Sequence, residues 1–295
     1  MLDILPQLIV SGILIGGVYG LMSIGLTLIF GVLRVVNFAQ GEFIMLAMFG
    51  SFWMHYLWGI DPYLSALVLA PAIFVLGLLT ERIVIQRILL ARHAMQFFAT
   101  FGLSVVLQNL ALTVFGPDYR SVSTPYTSLS YTVGGLSISA TALFAFLAAL
   151  AMAALLIGFL NYTRDGRALR AMVQNRYAAS LMGVNTSRLN RIAFGVGVAC
   201  AAVAGCLLTP MYYTFPTVGV DLIIIAFVVV VLGGMGSVAG AVIGGFIIGI
   251  TQTLTGFFVS VELKDVIALL LFILILLVRP QGLFGRAGAE EMGTK

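Results

Sequence analysis

The chain has 295 residues, of which 61% are hydrophobic and only 9% are charged. Soluble domains contain about 25% charged residues, and a soluble core of this length could not bury so much apolar surface. The composition excludes a soluble protein and predicts an all-α, polytopic membrane protein. The formal charge of +4 is interpreted as a sign of membrane orientation and not of nucleic-acid binding, because of where the basic residues lie.

Apolar runs long enough to cross a bilayer recur along the whole chain. We predict about eight to ten transmembrane helices, forming one transmembrane domain over residues 1–295. Cys200 and Cys206 share one apolar run and are expected to be buried small hydrophobes, not a disulfide or a metal pair. The predicted spans are 6–30, 43–58, 63–80, 94–115, 138–160, 192–210, two short helices within 222–261, and 266–278.

A polar cluster follows the first span. Arg34, Asn37, Gln40 and Glu42 fall within residues 31–42, between two apolar runs. An unpaired charge at membrane depth costs several kcal/mol, so this cluster must lie at an interface, in a cavity or against protein. Two interpretations stay open: a tight turn between helices at the membrane face, or a broken helix that lines a solute path near the midplane.

A second break is rich in glycine. Gly233, Gly234 and Gly236 interrupt an apolar run that is too long for one span, and two short helices are predicted around them. Either break could be re-entrant. An out-to-in helix, a break and an in-to-out helix occur at 6–58 and again at 222–258, which resembles an internal duplication.

Small residues at four-residue spacing predict close contacts between helices. Gly12, Gly16 and Gly20 form one such ridge in the first span. Two further pairs at this spacing follow the second break, namely Gly240 with Gly244 and Gly245 with Gly249.

Basic residues are distributed unevenly between the two sides of the predicted topology. Alternating the nine spans places thirteen of the fifteen lysines and arginines on one side, and only Arg120 and Lys264 on the other. The positive-inside rule then predicts an external N-terminus and a cytoplasmic C-terminus. The loop 116–137 would be an external lid or docking surface, and residues 161–191 would lie in the cytoplasm.

The segment 161–191 has six arginines and one acidic residue. Its apolar residues recur at helical spacing, which predicts two short helices that stop at Gly183 and Asn185. They fit a docking element for a soluble partner, or amphipathic helices that lie on anionic lipid.

Motifs for chemistry are missing from the sequence. There is no phosphate-binding Gly-x-x-x-x-Gly-Lys motif, no metal-binding motif and no nucleophile motif. We therefore expect no enzymatic activity, no catalytic residues and no metal site. The span interiors contain almost no ionisable residue, which argues against a pump driven by side-chain protonation. The adjacent amides Gln108 and Asn109 would line a path or form hydrogen bonds between helices.

Four stretches carry a family resemblance. Residues 17–46 resemble the opening signature of branched-chain amino-acid ABC-transporter permeases, and more narrowly their LivH-type subunit. The segments 165–185, 231–244 and 279–284 are similar to later landmarks of that family. Gln40 departs from the family pattern, in which many members have histidine, and this argues against a role that needs ionisation there.

The resemblance implies an importer in the bacterial inner membrane. Its partners would be a LivM-type permease, two ATP-binding subunits that hold ATP and Mg, a periplasmic binding protein and lipid, with no nucleic acid and no cofactor in this chain. Branched-chain amino acids are the default substrate, and relatives move urea, amides or aromatic acids. The alternative is a self-contained secondary carrier or channel.

Two sets of candidate residues follow from these arguments. The coupling set would contact the ATP-binding subunits, although its arginines could instead contact lipid headgroups. It comprises Arg164, Asp165, Arg167, Arg170, Arg176, Gly183 and Asn185. The path or gate set comprises Asn37, Gln40, Glu42, Gln108, Asn109, Gly233, Gly234 and Gly236.

Overall fold

The computed structural model describes residues 4–133, 135–279 and 281–285, and helices dominate them. The helices are α1 (Leu5–Leu33), α2 (Gln40–Trp58), α3 (Pro62–Thr80), α4 (Gln86–Ile88), α5 (His93–Phe115), α6 (Ala140–Tyr162), α7 (Arg164–Gln174), α8 (Arg176–Leu181), α9 (Thr186–Leu208), α10 (Val218–Gly233), α11 (Val238–Phe258) and α12 (Lys264–Val278). Strands β1 (Ser130–Val133) and β2 (Leu136–Ser139) form an antiparallel hairpin in which Ser130 pairs with Ser139. The predicted all-α, polytopic class is confirmed.

Each predicted span corresponds to a helix. Six helical stretches in the described chain are long and apolar enough to cross a membrane: α1, Pro62–Ile88, α5, α6, α9 and α11. The shorter α2, α10 and α12 cover the three remaining predictions. The predicted external loop 116–137 differs in one respect, because its last part forms β1 and the start of β2.

The third span is longer than predicted. The sequence predicted that it ends at Thr80. Instead, a π-helical turn, Glu81–Ile85, joins α3 to α4, so one helical stretch runs from Pro62 to Ile88. Glu81, the first residue of this π-helical turn, is buried although it carries a carboxylate.

Helices α1 and α9 form the centre of the bundle. In each, 83% of an apolar stretch of 18 residues is buried inside the protein. The corresponding share is 11% in α5 and 17% in Pro62–Ile88. The apolar residues of α1 and α9 therefore face protein, whereas α3 and α5 present most of theirs outward, as expected of helices that face lipid or another membrane subunit.

The ridges of small residues bring α1 and α11 into backbone contact. A Cβ atom added at Gly16 would lie 2.6 Å from the carbonyl oxygen of Gly245, and one added at Gly245 would lie 2.5 Å from that of Gly16. Gly12 meets Gly249 and Ile250 in the same way. The two helices run antiparallel along this line. Their close contact is what the four-residue spacing predicted, and a larger side chain would separate them.

We expect Gly16→Leu to lower the thermal unfolding midpoint in mild detergent by about 5 °C or more, because the added side chain overlaps backbone atoms that cannot move aside. The matched control is Gly102→Leu on α5, where an added Cβ meets nothing within 4 Å. Fluorescence-monitored melting of both variants is the measurement. Equal midpoints for Gly16→Leu and the unsubstituted protein would contradict this account of the packing.

Candidate functional site

The chain folds back on itself after α1. Helix α1 ends at Leu33, and Arg34 adopts a left-handed backbone conformation with φ of 57°, unlike every other described non-glycine residue. Its N–H donates to the carbonyl of Phe30 at 2.8 Å. Residues 34–39 then run without helical structure to the start of α2. This left-handed residue sets the direction in which the chain returns along α1.

Helix α2 begins inside the bundle. Gln40, its first residue, donates through Nε2 to the carbonyl of Gly197 in the middle of α9, at 3.1 Å. A Cβ at Gly25 would lie 3.0 Å from the same nitrogen. Gly25 precedes the end of α1 by eight residues, which is about 12 Å of helix rise. This position inside the bundle favours the broken helix over a turn at the membrane face.

The first break is closed by buried hydrogen bonds and aromatic contacts. Asn37 Nδ2 donates to Gln40 Oε1 at 3.2 Å, and both side chains are fully buried. Between them, Phe38 contacts Phe97 at 4.7 Å and Phe227 at 6.2 Å between ring centroids. The break is therefore an internal element, in contact with α5, α9 and α10.

Glu42 lies two residues further along α2 and is also buried. Its Oε1 accepts a hydrogen bond from Ser104 Oγ on α5 at 3.0 Å. Its Oε2 packs against Gly219 in the first turn of α10, where an added Cβ would lie 2.7 Å away. The carboxylate thus lies at the N-terminal ends of two helices, α2 and α10, whose partial positive charges stabilise it.

A stripe of polar residues on α5 faces the first break. Gln96, Thr100 and Ser104 are buried and Gln108 is half-buried, all at four-residue spacing. Thr100 Oγ1 donates to the carbonyl of Val36 in the break at 3.2 Å. Of these four residues, only Gln108 belongs to the path or gate set predicted from the sequence. The signal that could have identified the others is their common helix face.

The two predicted amides on α5 lie apart from this cluster. Gln108 continues the stripe one turn beyond Ser104. Asn109 is exposed, and its Nδ2 donates to the carbonyl of Val105 in its own helix at 2.7 Å. Within this chain the structure does not bring either amide to Asn37, so their role in a path stays a prediction.

The second break joins α10 to α11 next to the first. Gly234 and Gly236 have φ values of 99° and 86°, which only glycine adopts readily, and Ser237 caps α11 by accepting from the N–H of Gly240 at 3.1 Å. The Cα of Gly236 would lie 3.5 Å from a Cβ at Gly31 near the end of α1. Both breaks therefore meet the same end of α1, and the predicted pair of helices around the glycines is observed.

The arginine-rich segment forms the two short helices α7 and α8. Thr163, Asn175 and Asn185 cap α7, α8 and α9, each by accepting from a backbone N–H at 2.9–3.0 Å. Gly183, with φ of 81°, ends the second helix. The predicted helix stop at Gly183 and Asn185 is confirmed, and both residues are exposed.

The predicted coupling residues occupy two kinds of position. Arg164, Arg167 and Arg170 are exposed on α7. Asp165 forms an ion pair with Arg188 at 3.0 Å. Both side chains of that pair are partly exposed, so it contributes less than about 1 kcal/mol.

Arg176 is different, because it is half-buried and connects three helices. Its Nη1 donates to the carbonyl of Val32 on α1 at 3.5 Å. Its Nη2 donates to the amide oxygen of Asn190 on α9 at 3.0 Å, once the Asn190 amide is oriented to satisfy both groups. Burial, and then the charge of Arg34, lower the pKa of Arg176 below its ordinary value. Arg176 therefore links α8 to α1 and α9.

The apolar residues of α7 and α8 separate into two groups. Leu169, Met172 and Ala179 are buried against the bundle. Tyr177, Leu181 and Met182 are 74%, 69% and 84% exposed. The helical spacing of the apolar residues in this segment predicted two amphipathic helices, but of Ala179, Leu181 and Met182 only Ala179 packs inward. We call the exposed residues Tyr177, Leu181 and Met182 the α8 patch.

A cavity of about 900 Å³ opens at the same end of the molecule as α7. It lies between the end of α1, the start of α5, the end of α6, α7 and the second break, and both Arg34 and Arg170 border it. Among the described residues, three or more metal-ligating side chains nowhere come together.

We expect Ser104→Ala to destabilise the folded protein by about 1–3 kcal/mol, because it leaves the buried Glu42 carboxylate without its donor. The same change in a Glu42→Gln background should cost less. Thr113→Ala is the control, since Thr113 is exposed on α5 and bonds its own helix. Thermal melting of these variants provides the double-mutant cycle, and an equal cost in both backgrounds would refute the Glu42–Ser104 contact.

Comparison with known proteins identifies the family. The profile of the family described as branched-chain amino acid transport system / permease component matches residues 8–276. The high-affinity branched-chain amino acid transport system permease protein LivH of Escherichia coli (strain K12) is 35% identical over 305 residues, which cover 97% of each chain. The permease protein BraD of Pseudomonas aeruginosa, from the system of the same description, is 29% identical over 299 residues, again covering 97% of each chain.

A relative from an archaeon extends the match. The probable branched-chain amino acid transport permease protein LivH of Methanocaldococcus jannaschii is 32% identical over 307 residues, covering 96% of this chain and 94% of the relative. These matches confirm the resemblance seen in residues 17–46. Because the profile spans most of the chain and relatives above 30% identity cover nearly all of it, the protein belongs to the family of branched-chain amino acid transport system permease components.

Proposed function

We propose that this chain is the membrane permease subunit of an ATP-driven importer for branched-chain amino acids. The observation that carries the proposal is the similarity to LivH and BraD, which are named as permeases of such systems and match over 97% of their length. The break at 34–39 supports it, because its residues after Arg34 are buried or half-buried and transporters build solute sites from interrupted helices inside the bundle.

The proposed location is the bacterial inner membrane, with an external N-terminus and a cytoplasmic C-terminus. The distribution of charge supports this orientation. Arg34, Arg176 and α7 lie together at one end of the bundle, and Arg120 pairs with Thr214 in the loops at the other. Under the positive-inside rule, the end with α7 faces the cytoplasm.

The proposed partners are a LivM-type permease, a periplasmic binding protein and two ATP-binding subunits that hold ATP and Mg. The α8 patch would be the main contact with an ATP-binding subunit. Three exposed apolar side chains next to the arginines of α7 provide an apolar anchor with a charged rim, which is the usual composition of an interface hot spot. Gly183 and Asn185, which belong to the coupling set, follow this patch in the sequence.

The contacts of α7 and α8 suggest how ATP-dependent motion reaches the path. Arg176 joins α8 to the end of α1, and Val173 of α7 lies 3.7 Å from a Cβ at Gly31. Gly31 in turn approaches Gly236 in the second break. A shift of α7 and α8 would therefore move the end of α1 and both breaks together, giving alternating access to Asn37, Gln40 and Glu42.

The remaining candidate groups fit a path between two permeases. Asn109 lies on the exposed face of α5, so it borders the path only where a second permease covers that face. Gly233, Gly234 and Gly236 would act as the hinge of the second break, since glycine tolerates the backbone changes that a hinge requires.

Replacing the α8 patch by serine (Tyr177→Ser, Leu181→Ser, Met182→Ser) should abolish co-purification of the ATP-binding subunits with the tagged chain, because the apolar anchor is lost. The control is Tyr162→Ser, which changes an 85% exposed tyrosine at the end of α6. Affinity purification from mild detergent is the measurement. A serine variant that keeps its ATP-binding subunits would contradict the docking surface.

Arg176→Met should leave the complex assembled and ATP hydrolysis active while leucine uptake falls about ten-fold, within the usual range of coupling energies. The change removes the link from α8 to Val32 and Asn190. The control is Arg82→Met, an exposed arginine. Uptake and hydrolysis are measured in proteoliposomes with the binding protein.

Equal leucine uptake by the Arg176→Met and Arg82→Met variants would show that motion of α8 does not reach the end of α1 through Arg176. Uptake by the isolated chain that follows an ion gradient and ignores ATP would instead favour a self-contained carrier. Competition by urea, amides or aromatic acids that exceeds competition by leucine would change the assigned substrate.

A further inference from the structure

The cavity of about 900 Å³ beside α7 has walls that suit an apolar side chain. Leu28 and Phe30 of α1, Phe97 of α5, Ile157 of α6 and Val173 of α7 contribute apolar surface to it. The volume is large enough for a small molecule, since ligand pockets in proteins are typically about 300–1,000 Å³. An occupant would thus be expected to have an apolar portion.

The charged groups among the described residues that border this cavity are basic. Arg34 at the end of α1 and Arg170 on α7 both line it, and none of its described lining residues is acidic. Two guanidinium groups around one space favour a carboxylate or another anion.

The helix ends around the cavity carry partial charges of both signs. The N-terminal ends of α5 and α11 reach it at His93 and Val238, and the C-terminal ends of α1 and α6 reach it at Gly31 and Asn161. N-terminal ends favour negative charge and C-terminal ends favour positive charge. The combination suits a zwitterion better than a pure anion such as an acidic lipid headgroup.

A buried hydroxyl without a partner borders the same space. Thr27 on α1 lines the cavity and is 1% exposed, and its Oγ1 has no hydrogen-bond partner among the described residues. Buried polar groups are normally satisfied, so an unpaired hydroxyl at a cavity wall indicates a position where a ligand or water binds.

We propose that this cavity binds a free amino acid with an apolar side chain from the cytoplasmic side. The carboxylate would contact Arg34 and Arg170, the ammonium group would face the ends of α1 and α6, and the side chain would contact the apolar walls. The inference rests on the proposed function. It adds a release site at which the transported amino acid binds again from the cytoplasm and slows further import.

Equilibrium binding of radiolabelled leucine tests this site. The sample is the full complex in phosphatidylcholine nanodiscs. Nucleotide and binding protein are left out, so that no leucine is delivered from the periplasmic side. Saturable binding is expected, and leucinamide, which lacks the carboxylate, and 4-methylpentanoate, which lacks the ammonium group, should each compete at least about ten-fold more weakly than leucine.

Three variants locate the site. Gly31→Leu should abolish binding by filling the cavity, because an added Cβ there has ordinary clearance and the rest of the side chain extends beyond it. Thr27→Val keeps the shape of the wall and should weaken binding about five-fold, as expected for one hydrogen bond. Gly102→Leu, in open space on α5, should bind leucine normally.

ATP-driven leucine uptake by the same preparations, with the binding protein added, separates the two proposals. Absence of uptake would reject the proposed function. Normal uptake without cytoplasmic leucine binding would reject only the release site. Leucine binding that Gly31→Leu and Thr27→Val leave unchanged would reject it as well. Displacement of bound leucine by phosphatidylglycerol added to the nanodiscs would show that the cavity is a lipid site, and would overturn the proposal.

Discussion

The structure depends on one constraint: a polar, non-helical segment packed between apolar helices must find hydrogen-bond partners inside the protein. Residues 34–39 separate α1 from α2 without helical structure, and neighbouring side chains supply partners for some of the polar groups there. Thr100 binds the carbonyl of Val36, and Gln40 binds the carbonyl of Gly197. These hydrogen bonds join the first break to α5 and α9, so the break and the two helices stabilise each other's positions. A change in one position must be accommodated by the others.

Close packing between α1 and α11 brings the two breaks together. The backbone contact between α1 and α11 through Gly16 and Gly245 brings the two breaks to the same end of α1, where Gly31 meets Gly236. Helix α7 contacts the end of α1 through Val173, and Arg176 links the same end of α1 to α8. The exposed α8 patch, the end of α1 and the buried polar groups are thus mechanically connected, which is what transport driven by a soluble partner requires.

Much of this organisation could be predicted from the sequence, because membrane composition and glycine spacing are strong physical signals. The spans, the second break and the stop at Gly183 were anticipated. The depth of the first break was not, since both a surface turn and an internal break place polar residues after a span. Nor could spacing alone show that Arg176 is half-buried, or that Ser104 binds Glu42 across 62 residues. These depend on how helices distant in sequence pack together.

The most direct test of the central claim is whether Gln40 becomes accessible to water during transport. The measurement is labelling of Gln40→Cys by a membrane-impermeant thiol reagent in the assembled complex, after the buried Cys200 and Cys206 are replaced by alanine. We predict labelling that changes between the nucleotide-free and ATP-bound states. A cysteine at position 40 that stays unreactive in every state, in a complex that transports leucine, would show that the break is only a structural core.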